Sequence, residues 1–111
     1  MSYSVIVTPN FDKEAKHLKK KYPSLKGELT ELIVSLENDP IQGTSIGHGC
    51  YKIRLGIASK GKGKSGGARI ITYISIINSK VYLVSIFDKS EKETISGHEL
   101  VALLQDVPLK G

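Results

Sequence analysis

A chain of 111 residues, 40% of them apolar, is long enough to bury one core, short for two domains and too apolar to stay unfolded. Sixteen lysines and arginines against 11 acidic residues give a net charge of +5, and a single cysteine, Cys50, excludes an internal disulfide. The N-terminal MSYSVIVTPNF has no charged start followed by a long apolar stretch, and no run approaches the roughly 20 apolar residues of a membrane span. The expectation is one cytoplasmic domain over residues 1–111, with no membrane association.

In chain order, Tyr3 to Thr8 alternates and is β-branched, which predicts a first strand ended by Pro9. Thr8 or Asn10 can cap the helix that follows, in which Phe11, Ala15, Leu18 and Tyr22 recur at helical spacing while the lysines fall mainly elsewhere. Pro23 breaks that pattern. Ser24 can cap a second helix whose stripe is Leu25, Leu29, Leu32, Ile33 and Leu36, stopped by Pro40. Ile41 to Gly49 holds three glycines and no period, so it reads as a loop. Tyr51 to Ala58 alternates, with Tyr51, Ile53, Leu55 and Ile57 on one face and Lys52 and Arg54 on the other. Ala68 to Ile77 and Val81 to Phe87 are two further apolar runs joined as a hairpin. Leu100, Val101, Leu103 and Leu104 suggest a short final helix closed by Pro108. The plan is α+β: an N-terminal strand, a two-helix hairpin, an antiparallel sheet of about four strands and a short C-terminal helix. The helices should cover one sheet face and leave the other open.

The charge is concentrated. The window from Cys50 to Arg69 holds Lys52, Arg54, Lys60, Lys62, Lys64 and Arg69 and no acid, so it alone exceeds the net charge of the chain. Lys52 and Arg54 point to the open face, where the glycine-rich loop over Lys60 to Gly67 and Arg69 can join them. Such a clump suits a phosphate-bearing polymer, and electrostatic contact with nucleic acid fits it best. Gly63-Lys64-Ser65 superficially matches a P-loop, but Ala58 stands where that motif needs glycine, and a strand follows where it needs a helix.

Other chemistries find less support. His17, His48 and His98 have no metal-ligand spacing, and no metal or other cofactor is expected. Cys50 sits in an apolar run and reads as a small buried hydrophobe. Glu91 and Glu93, among Lys89 and Lys92, look like a solvated turn. Tyr73 and Tyr82 lie on strands as packing residues, with too few aromatics in the chain for a stacking platform.

The stretch YKIRLGIASKGKGKSGGAR from Tyr51 to Arg69, the apolar strand after it, VYLVSIF from Val81 to Phe87 and DKSEKETI from Asp88 to Ile95 resemble the RelE/ParE superfamily of type II toxins. The resemblance is nearest to the RelE and HigB-like branch. It implies a ribosome-dependent endoribonuclease that cuts messenger RNA, inhibits translation and is held inactive by a cognate antitoxin. By position it implies that Lys52 and Arg54 lie beside the scissile phosphate, that Arg69 stabilises its developing charge and that Lys89 is the basic residue just after the last strand. Lys60, Lys62 and Lys64 would grip RNA backbone. Some relatives have a catalytic tyrosine where this chain has Ile95, which leaves Lys52, Lys89 or His98 for proton transfer. Two alternatives share parts of this pattern: a ParE-like gyrase inhibitor and a non-catalytic RNA-binding module.

Overall fold

The computed structural model describes residues 2–61, 63–105 and 107. Strand β1 (Ser4–Val7) leads into α1 (Pro9–Lys21) and α2 (Leu25–Asn38), followed by β2 (Thr44–Gly47), β3 (Cys50–Leu55), a single 3-10 turn (Ala58–Lys60), β4 (Ala68–Ser75), β5 (Lys80–Asp88) and α3 (Gly97–Leu104). The strands form one sheet in the order β1-β5-β4-β3-β2.

Local chemistry explains the helix boundaries. Thr8 caps α1: its hydroxyl oxygen accepts from the Phe11 amide at 3.3 Å and its proton goes to the Leu83 carbonyl at 2.8 Å, so one side chain starts the helix and ties it to β5. Asn10 instead donates to the Val84 carbonyl. Lys19, Lys20 and Lys21 occupy the last turn of α1, where cations favour the helix dipole. Ser24 precedes α2 without capping it, and its hydroxyl accepts from the Ser59 amide at 2.9 Å. Glu28 accepts from the Ala58 amide at 2.8 Å, so the start of α2 anchors the 3-10 turn.

Two features depart from the expected sheet. A fifth strand, β2, lies inside the glycine-rich segment read as a loop, and β1 runs parallel to β5 while the other pairs are antiparallel. The chain between β1 and β5 contains both helices and the three other strands, long enough for that parallel pairing. Between β4 and β5 the register slips, Ile71 opposite Ser85 but Thr72 opposite Leu83, so Val84 is an extra residue and β5 bends there.

The expectation of an open second face needs a larger correction. Phe11, Ala15, Leu18, Leu25, Leu29, Leu32 and Leu36 pack on one face, against Ile53, Ile70, Ile74, Val81, Leu83 and Ile86. On the other, Cys50, Ile71, Tyr82, Val84 and Phe87 form a second core with Ile95, Leu100, Leu104 and Val107. Every residue from Val81 to Asp88 is buried, which is the signature of a strand covered on both sides. On that second face Lys52 of β3 is half-buried and Arg54 exposed, so this corner of the sheet escapes the cover among the described residues. Pro108, expected to close α3, lies outside the described residues.

Within this packing the Thr72 hydroxyl is buried and has no hydrogen-bond partner among the described residues. Thr72→Val keeps the shape and removes the unpaired group, so it should stabilise the fold by about 1 kcal/mol. Thermal unfolding of the two proteins checks this; a lower midpoint for the valine variant would contradict it.

Candidate active site

The uncovered patch holds a cavity of about 470 Å³ lined by Thr44, Ile46, Lys52, Arg54, Ser65, Arg69, Lys89 and Glu93. Strand geometry puts the first cations there. Lys52 and Arg54 are two apart on β3 and share a face, and Arg54 lies directly across from Arg69 of β4. Two arginines directly opposed in a ladder are unfavourable for the sheet itself, since like charges repel. Lys89, the first residue after β5, completes four cations in one cavity.

Arg69 is 3% exposed and fixed by its neighbours. Its guanidinium donates to the carbonyl oxygens of Lys64 at 3.0 Å, Ala68 at 3.1 Å and Ser65 at 3.0 Å. A guanidinium carries about five N–H donors, so part of the fork remains for the cavity. Lys52 donates to the Thr94 hydroxyl at 3.4 Å, and Lys89 faces Glu93 at 3.5 Å. A second cavity of about 380 Å³ shares Thr44, Lys52 and Arg54 and adds Gln42 and Lys64, so the basic surface continues round the edge of β3.

The three loop lysines have separate fates. Lys64 is exposed and lines that second cavity. Lys62 lies outside the described residues. Lys60, expected to grip RNA, is turned inward: its ammonium meets the fully buried Asp88 carboxylate at 2.5 Å and donates to the Gly66 carbonyl at 2.9 Å. Asp88 also accepts from the Tyr22 hydroxyl at 2.7 Å and from the Ser90 amide and hydroxyl at 2.9 and 2.8 Å. Burial alone pushes the Asp88 carboxyl up; the bonds from Lys60, Ser90 and Tyr22 outweigh it and hold the carboxyl well below the ordinary carboxylate range. The Tyr22 hydroxyl, bonded to that carboxylate, is correspondingly harder to ionise.

This buried network supports the site from beneath. Asp88 immediately precedes Lys89, whose amide donates to the Gly67 carbonyl at 3.0 Å, while Lys60 holds Gly66, next to the carbonyls that clamp Arg69. Gly67 makes the close approach possible, because a Cβ there would run into the Leu55 carbonyl oxygen. Gly67→Ala should therefore shift the loop and lower the unfolding midpoint by several degrees, as calorimetry would show.

Other expected participants are elsewhere. His17, His48 and His98 are exposed and none lines the cavity. Ile95 packs in the second core. Cys50 is buried, and burial pushes its thiol up to about 11, the behaviour of a packing residue. Tyr73 and Tyr82 pack against each other with ring centroids 6.1 Å apart. Glu93 is the residue that sequence reasoning missed: it reads as part of a solvated turn, yet it lines the cavity. Its spacing of four from Lys89 was the available signal. No helix among the described residues is long and apolar enough to cross a membrane.

The fold is similar to that of a solved structure of the Escherichia coli toxin RelE, a double arginine-to-alanine variant in the free state, with 16% identity over 96% of this chain and 99% of that one and a TM-score of 0.61. A family model described as the RelE toxin of the RelE/RelB toxin–antitoxin system matches residues 5–106. With nearly its whole length matched and the same plan of strand, paired helices and sheet, the chain belongs to the RelE toxin family.

Proposed function

We propose that this toxin is a ribosome-dependent endoribonuclease that cuts messenger RNA at the cavity formed by Lys52, Arg54, Arg69 and Lys89. The observation that supports the reading is the direct opposition of Arg54 and Arg69, with Lys52 beside them, all lining one cavity. A cluster of like charges costs stability unless an anion joins it, and a phosphodiester is the anion that such a family of cations suits.

In the proposed reaction a ribose 2′-oxygen attacks the adjacent phosphorus, and negative charge grows on the phosphoryl oxygens in a phosphorane-like transition state. Arg69, held by three carbonyl bonds, is a preorganised donor for that charge. Arg54 and Lys52 hold the phosphate beside it. Lys64, on the continuing basic surface, contacts RNA backbone and adds affinity without sequence preference. A cognate antitoxin would silence the protein by laying an acidic or groove-filling segment over this face.

Primer extension on messenger RNA after brief induction tests the reading. Wild type should give discrete new 5′ ends, and the Lys52→Ala/Arg54→Ala double variant should lose them at equal protein level, a fall of at least 100-fold. Intact messenger RNA together with DNA damage would indicate gyrase poisoning instead. RNA bound but uncut would indicate a binding module.

A further inference from the structure

We propose that Glu93 is the proton acceptor of the site, taking the proton from the attacking 2′-hydroxyl; the inference rests on the ribonuclease reading above. The supporting observation is compositional and spatial together. The titratable groups lining the cavity are Lys52 and Arg54 from β3, Arg69 from β4, and Lys89 and Glu93 from the segment after β5. Four of them are cations, which at neutral pH have no free lone pair to receive a proton. Among the described lining residues Glu93 carries the one carboxylate, a far better proton acceptor than the Thr44 and Ser65 hydroxyls. The tyrosine of some relatives is no substitute here, since Ile95 occupies that position and is turned into the second core.

Glu93 sits four residues after Lys89, and their charged ends are 3.5 Å apart. That contact joins an acceptor to a donor. The O2′–H bond breaks and its proton passes to the Glu93 carboxylate, while the oxygen lone pair forms the O2′–P bond. The P–O5′ bond breaks, its electron pair leaves on O5′, and that oxygen takes a proton from the Lys89 ammonium. A 2′,3′-cyclic phosphate and a 5′-hydroxyl result. Proton return from the Glu93 carboxyl to the neutral Lys89 amine resets both groups, with no change in charge or oxidation state. Lys52, bonded to Thr94 beside Glu93, remains a cation throughout and holds substrate.

The alternative role for Glu93 is that of an exposed surface partner for Lys89, a kind of pair that contributes little. The two roles separate cleanly. In single-turnover cleavage of a short messenger RNA on programmed ribosomes, Glu93→Gln should lower the maximal rate by 100- to 10,000-fold. RNA binding should be unchanged or tighter, because a negative charge next to the phosphate is gone. The acid limb of the pH–rate profile should disappear in Glu93→Gln, and added formate should restore part of the activity of Glu93→Ala. Neither of the last two effects follows from a structural role. If wild type cuts and Glu93→Gln cuts within threefold of it, or loses activity only in step with binding, Glu93 is not the acceptor while the ribonuclease reading stands. If wild type itself does not cut, that reading fails and this inference with it.

Discussion

Arg69→Ala should reduce messenger RNA cleavage by 100- to 1,000-fold, the range typical of removing a preorganised donor from developing charge. The side chain is buried, and its three bonds to the carbonyls of Lys64, Ala68 and Ser65 hold the basic loop against β4. The substitution therefore has a second consequence: it releases those carbonyls and should cost about 1–3 kcal/mol of stability. Arg69→Lys separates the two effects. A lysine keeps the charge but cannot form the planar fork, so the loop loses its clamp and activity should recover by no more than a few-fold. Single-turnover rates and unfolding midpoints measured on the same three proteins check both parts. An alanine variant that cuts within tenfold of wild type would show that Arg69 organises the loop and does nothing for the chemistry.

The largest stability effect is expected at Asp88. Its carboxylate is completely enclosed and bonded to Lys60, Tyr22 and Ser90, so Asp88→Ala leaves the Lys60 ammonium buried without its counter-charge. Removing one member of a buried pair costs about 3–5 kcal/mol. Against a total stability of about 5–15 kcal/mol for a domain of this kind, the variant should be close to unfolding at physiological temperature. Replacing both partners, as in Lys60→Met/Asp88→Leu, removes charge and counter-charge together and should recover most of the loss. Denaturant titration distinguishes these outcomes; a single variant within 1 kcal/mol of wild type would mean the pair is more hydrated than its burial implies.

The same carboxylate sets an acid dependence. Its folded value lies below that of the unfolded chain, so its contribution is complete above about pH 5 and declines as the pH falls through the unfolded carboxylate range near 3.9 and below. The double variant, lacking the group, should show a shallower acid limb.

How far the sequence revealed the site depends on how local each interaction is. Lys52 and Arg54 could be assigned to one sheet face because a strand alternates, and two residues suffice to see it. Arg69 reads only as a cation following the glycine-rich loop that can join them, and the β3–β4 register places it opposite Arg54. Lys60 could not be read this way. Its partner Asp88 is 28 residues distant, and a lysine in a glycine-rich stretch looks the same in sequence whether it faces water or a buried acid. Glu93 is hidden for a related reason: four charged residues after a strand resemble a surface turn unless the packing of Ile95, two residues before α3, is known to bring the segment beside the sheet.

The fold follows the same division. The caps and apolar stripes of α1 and α2 lie within single helices and were legible, with Thr8 settling the choice between two candidate caps. Strand β2 was hidden because it is four residues long and flanked by glycines. The cover on the second face was signalled by β5, whose apolar run, interrupted at Ser85 alone between Val81 and Phe87, needs packing on both sides, but the residues that supply it come from the amphipathic C-terminal segment and carry a weak pattern of their own.

The central claim is that the cations of this cavity hold a phosphodiester and stabilise its developing charge while the adjacent ribose hydroxyl attacks it. Determining the chemical ends of the fragments made by wild type on programmed ribosomes tests it most directly. A 2′,3′-cyclic phosphate, or the 3′-phosphate to which it opens, on the upstream fragment and a 5′-hydroxyl on the downstream one are the expected result. A 3′-hydroxyl paired with a 5′-phosphate would mean that water, and not the substrate's own 2′-oxygen, is the nucleophile, and would contradict the account.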